Sequence, residues 1–150
     1  MKEGRIQGSR NGVPASSLQS GDSTMAYHVS KARFAGLVER ALDSLPPQFA
    51  AALEEVPVEI RPASTPAQRR RAGVGRDDLL LGLYQGIPRT QRSVEHSGNL
   101  PDVIYVFQED VELAVDDEQD LVEQVRITVL HELGHHFGMD EDDLEELGYG

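Results

Sequence analysis

Two histidines four residues apart, His131 and His135, enclose Glu132 in the run His131-Glu132-Leu133-Gly134-His135, an HExxH pattern. On a helix, positions i and i+4 share one face about a turn apart, so both imidazoles can reach a single metal ion. Glu132 then projects beside that metal, where a carboxylate can take a proton from water. In an open zinc site the pKa of water falls to about 7, which supplies a nucleophile at neutral pH. These residue types at this spacing point to zinc-assisted hydrolysis, with His131 and His135 as ligands of one Zn2+ and Glu132 as general base.

The residues that follow extend the pattern. Gly138 lies three positions after His135, where a chain leaving a helix can use a residue that tolerates positive φ. Asp140 and Glu141 come next. Glu141 is the expected third ligand, because a chain reversed at Gly138 would bring it back to the metal. Asp140 competes, but its side chain is shorter and it is also placed to cap a following helix. Three protein ligands leave a fourth position for water, the catalytic rather than the structural arrangement. His136 sits about 100° further around the helix, too far to share the metal, and a packing or surface role is expected for it. Gly134 costs about 1 kcal/mol relative to Ala inside a helix, which suggests that another segment, such as a sheet, passes close by. Tyr84, Tyr149, His96 and Arg92 could each donate to a developing oxyanion, and spacing favours none of them.

A helix must carry this pattern. Leu121, Val122, Val125, Val129, Leu130 and Leu133 recur as an apolar stripe, which predicts a helix over 118–137. An earlier helix is predicted from Ser30 to Leu45 on the spacing of Phe34, Leu37, Val38, Ala41 and Leu45, with Ser30 as N-cap. Pro46-Pro47 ends it, and Pro47 can open a short helix over 48–55. Val56 to Ile60 alternates as a strand, an edge strand because of Pro57. Residues 62–78, with Pro62, Pro66, the triplet Arg69-Arg70-Arg71, Gly73 and Gly75, read as a loop, and the triplet reads as solvated. Leu79–Gly86 is a second strand whose near-continuous apolar run suggests burial on both faces. A polar loop over 87–100 leads to a third strand, Val103–Phe107, and then to a short acidic connection. After Gly138, Asp140 can cap a last helix over 141–147. The predicted order α-α-β-β-β-α-α gives an α+β domain, a small twisted sheet with helices packed on it.

Composition bounds the chemistry. The chain has 150 residues, enough for one domain, which we place at 30–150. Residues 1–29 read as a disordered tail; their first 24 are rich in Gly, Ser, Asn and Gln, and Met25 is a second candidate start. Cysteine is absent, which excludes disulfides, Cys-ligated metals and a Cys nucleophile. The net charge of -12 is concentrated near the motif: residues 109–150 hold 15 Asp/Glu and one Arg. Such a field attracts a metal cation and repels nucleic acid, so no nucleic-acid partner is expected. No apolar run approaches the ~20 residues of a membrane span, and no secretory signal is evident, so a cytoplasmic location is the default.

HExxH alone arises by chance in roughly a few chains per thousand of this length, so the surrounding sequence matters. The run HELGHHFGMDEDDLEELGYG resembles the C-terminal signature of a small bacterial zincin-like metallopeptidase family, the minimal zincins, which carry HExxHxxGxxD. The stretches ALDSLPPQFAAALEEVPVEI, LLLGLYQGIPRTQRS and LPDVIYVFQ are similar to that family in the same order, so the resemblance spreads over residues 41–150. It implies a zincin-like α+β fold, His131 and His135 as zinc ligands, Glu132 as the catalytic carboxylate, and the family's Asp position as third ligand. That position is Glu141 here, with Asp140 just before it. The resulting expectation is a zinc-dependent peptidase acting on a peptide or protein substrate laid along a sheet edge, for which Val103–Phe107 is one candidate. The rival is a non-catalytic protein of the same fold that binds a peptide or partner. A zinc hydrolase of a non-peptide substrate is a third reading.

Overall fold

A computed structural model describes residues 27–86 and 102–146, with the side chain of Glu141 excepted. The first helix, α1 (Lys31–Asp43), starts where predicted: Ser30 Oγ accepts the Arg33 N–H at 3.0 Å. The helix buries Phe34, Leu37, Val38 and Ala41, the face its spacing announced. Pro47 opens α2 (Pro47–Ala52), as its fixed φ favours. Residues 27–29 dock on the domain. The backbone N–H of Val29 donates to Glu112 Oε2 at 3.1 Å, and its carbonyl accepts from Gln108 Nε2 at 3.1 Å. The remainder of the expected tail lies outside the described residues.

Strands β1 (Val58–Arg61), β2 (Gly82–Gln85) and β3 (Val103–Phe107) form a mixed sheet in the order β1-β3-β2. β1 runs parallel to β3, and β2 runs antiparallel to it. The edge position expected for β1 is observed. The edge position considered for Val103–Phe107 is not: β3 is central, because the crossover from β1 places it between its two partners. Its alternating side chains serve both faces. Ile104 and Val106 join Tyr84 in the main core, while Phe107 joins Leu80, Leu83 and Ala72 on the opposite side.

The stretch 62–78 is not all loop. It contains α3 (Pro66–Ala72), opened by a reciprocal cap between Thr65 and Gln68 and closed by Gly73 at φ 72°. Arg69 of the basic triplet is a fastener: its guanidinium donates to the carbonyls of Gly75 and Asp78, both at 2.6 Å. The acidic connection after β3 is likewise a helix, α4 (Gln108–Ala114), whose buried members include Val111 and Glu112. Among the described residues the order is therefore α-α-β-α-β-β-α-α-α.

The long helix α5 (Glu118–His136) packs between α1 and the sheet. Asp117 caps it, its side chain accepting the Asp120 N–H at 2.7 Å. Gly138, at φ 81°, ends it: the Met139 N–H reaches the Gly134 carbonyl at 2.8 Å and the Gly138 N–H reaches that of His135 at 2.9 Å. The chain reverses into α6 (Glu141–Glu146). Gly134 makes that return possible, since a Cβ there would lie 2.7 Å from the side chain of Leu144. The close neighbour anticipated at Gly134 exists, but it is α6 and not the sheet.

Candidate metal and catalytic site

The HExxH residues occupy the last turns of α5. His131, Glu132 and His135 converge, each offering a ligand atom within 4.8 Å of the others. The two imidazoles meet edge to face with centroids 4.9 Å apart. Glu132 is 0% exposed and His135 8%. Burying a carboxylate is costly without hydrogen bonds, and β2 supplies one: the Tyr84 backbone N–H donates to Glu132 Oε1 at 2.8 Å. The approach of β2 to α5 needs Gly82, where a Cβ would lie 2.6 Å from Thr128 Cγ2 and 2.8 Å from the Tyr105 carbonyl oxygen.

These side chains fit a divalent metal. Burial, with the neighbouring His131 adding to it, pushes the His135 pKa down to about 4, so its imidazole is neutral at pH 7, the ligating form. His135 Nε2 is buried and has no hydrogen-bond partner among the described residues. A buried nitrogen lone pair without a donor is a cost that a metal ion relieves.

The other expected residues divide. Asp140 is exposed and engaged in capping α6: its Oδ1 accepts the Asp143 N–H at 2.8 Å, and its own N–H donates to Asp143 Oδ2 at 3.1 Å. The Glu141 side chain, His96, Arg92 and Tyr149 lie outside the described residues. Tyr84 is fully buried, and its hydroxyl lies 3.3 Å from His136 Nδ1. His136 is fully buried too, which corrects the surface alternative considered for it. Its Nδ1 lies 3.1 Å from Asp102 Oδ2, and its Nε2 faces Glu55 at 3.6 Å. Sequence reasoning gave Asp102 no role. The one local hint was a carboxylate directly before an apolar strand.

A family model described as zincin-like metallopeptidase matches residues 53–150, most of the described domain and all of the site. The chain belongs to this zincin-like metallopeptidase family. Among solved structures, the zincin-like chain is similar to a conserved hypothetical protein from Thermus thermophilus, with 27% identity over 79% of this chain and 97% of that one and a TM-score of 0.45. No curated protein matches it. No helix among the described residues of the zincin-like domain is long and apolar enough to cross a membrane.

Proposed function

We propose that this protein is a zinc-dependent peptidase in which Glu132 is the general base. The observation that carries this reading is the triplet itself: a buried carboxylate, oriented by the Tyr84 N–H at 2.8 Å, inside a cluster with two imidazoles. His131 and His135, with Glu141 as third ligand, would hold a single zinc ion, which when bound polarises a carbonyl and acidifies water. The Tyr84 N–H fixes the plane of the Glu132 carboxylate. Glu132 Oε2 takes the proton of the attacking water and passes it to the leaving nitrogen. The buried position of Glu132 keeps bulk water from competing for that proton.

The substrate is an extended peptide, and β2 is the edge strand beside Glu132. The Phe107 N–H bonds to the Leu81 carbonyl at 2.9 Å, so Leu83 and Gln85 turn their backbone groups to β3. The backbone groups of Gly82 and the Tyr84 carbonyl face the other way, where a peptide would pair main chain to main chain, while the Tyr84 N–H stays on Glu132.

A second reading has its own support. Glu132 at 0% exposure is as buried as a structural carboxylate, which suits a zinc-holding binding module without turnover. Metal analysis of the purified protein and digestion of an unbiased peptide library, with and without a chelator, separate the two. Chelator-sensitive cleavage supports the peptidase. Stoichiometric zinc with no cleavage favours the binding module.

A further inference from the structure

Three chain segments meet at the imidazole of His136. It lies at the C-terminal end of α5, with Tyr84 reaching it from β2 and Asp102 from the residue before β3. All three side chains are at most 7% exposed. A carboxylate oxygen 3.1 Å from Nδ1 favours a proton on that nitrogen, and Tyr84 Oη at 3.3 Å lies within reach of the same N–H. The Tyr84 and His136 rings pack edge to face with centroids 5.7 Å apart. Room for Asp102 comes from Gly86, the residue after β2. A Cβ there would collide with Asp102 Oδ1, and its φ of 157° suits glycine best.

Tyr84 is a member of two arrangements. Its side chain belongs to this buried chain, while its backbone N–H holds Glu132 Oε1. β2 is four residues long and, among the described residues, pairs on one side only, with β3. A short edge strand frays unless something else holds it. Besides the Tyr84 N–H on Glu132, β2 meets α5 on either side of that carboxylate: Gly82 against Thr128, and Tyr84 against His136.

We propose that His136 is a positioning residue for Glu132: braced by Asp102, it fixes Tyr84 and thereby aims the Tyr84 N–H at the carboxylate. The kinetic part rests on the peptidase reading above; the positioning part does not. An apolar side chain would fill the same volume, but it would fix neither the rotation of the tyrosine nor the height of β2 over α5.

The test uses His136→Phe, His136→Asn and Tyr84→Phe. Asn places an amide nitrogen near the position of Nδ1 and can still meet Asp102. Tyr84→Phe removes one hydroxyl and keeps the backbone N–H. The first readout is hydrogen exchange of the residue 84 amide in metal-free protein, referenced to the amides of Phe34 and Leu37 in α1. His136→Phe and Tyr84→Phe should lower protection at residue 84 by about tenfold beyond any change at the references, and His136→Asn should restore most of it. The second readout is kinetic: kcat falls about tenfold with KM and zinc affinity within about threefold. Protection at residue 84 that changes only in step with the α1 amides overturns the proposal, whether or not the parent cleaves peptides. Should His136→Phe fail to fold, Tyr84→Phe decides on the same criteria. Lost protection in a parent that cleaves nothing would sustain the positioning role and remove the peptidase reading.

Discussion

Helix α4 and the last turns of α5 use buried carboxylates in the same way and to different ends. On α4, Glu112 accepts the Val29 N–H at 3.1 Å, and His28 and Gln108 also contact it, each at 3.0 Å. Two residues earlier, Asp110 accepts the Leu80 N–H at 2.8 Å and lies 3.5 Å from Arg69. On α5, Glu132 accepts the Tyr84 N–H at 2.8 Å. Each carboxylate ties its helix to a backbone amide distant in sequence. What differs is the rest of the surroundings. Glu112 and Asp110 sit among side chains of other residues that tie segments together, His28 and Gln108 for the first and Arg69 for the second. Glu132 shares its space with two imidazoles, one of which, His135, is held neutral by burial. Burial and a backbone donor therefore do not by themselves set Glu132 apart; the paired imidazoles do, and the proposed general-base role rests on them.

The largest effect should come from Glu132→Gln. It keeps the shape and the acceptor for Tyr84 but loses the base, and peptide cleavage should fall about 10²–10⁴-fold with zinc content unchanged. A variant that cleaves as the parent does would erase the distinction between the two helices. Next, Glu141→Ala should weaken zinc binding on the order of 100-fold or more, since even outer-shell changes cost 10–100-fold. Asp140→Ala should leave zinc affinity nearly unchanged and cost about 1 kcal/mol through loss of the α6 cap. Competition titration against a chromogenic chelator and urea unfolding would read the two. Equal loss of zinc in both variants would move the third ligand toward Asp140.

On the structural side of the comparison, Glu112→Ala should cost roughly 2–3 kcal/mol, because the Val29 N–H and Gln108 lose their acceptor. Turnover per folded molecule should not change. Reduced turnover in the still-folded fraction would show that α4 reaches the site. The smallest effect concerns Asp110. Burial raises its carboxyl pKa, while the Leu80 N–H and Arg69 oppose the rise. An acid whose folded pKa is raised costs stability at high pH and regains it as pH falls through that pKa. Asp110→Asn should therefore compare more favourably with the parent at pH 7 than at pH 4, by a fraction of a kcal/mol in paired urea titrations. A difference that does not vary with pH would mean that Asp110 titrates as it does in the unfolded chain.

Much of the helical frame is local and was legible. Ser30, Pro47, Asp140 and Gly138 act on amides or dihedrals within a turn of themselves, so their types alone mark the ends. Two helices escaped notice for opposite reasons. In α3 Ala72 is the one buried residue, so there was no apolar stripe to read, although the Thr65–Gln68 cap and Gly73 were in plain sight. In α4 the acidic residues read as a connection, because the backbone amides that meet Asp110 and Glu112 lie on other segments.

The sequence by itself determined the chemistry on offer: two imidazoles one helical turn apart around a carboxylate, with a glycine to reverse the chain after them. Spacing on a single helix suffices for that, since i and i+4 face the same way in any tertiary setting. Only the tertiary structure decided that β3 is central and β2 is the edge beside Glu132. It also decided that Leu144 fills the space above Gly134, and that Asp102 and Tyr84 converge on His136. Those contacts join residues separated in the chain, and they depend on which buried polar groups find partners once the sheet and α5 pack together.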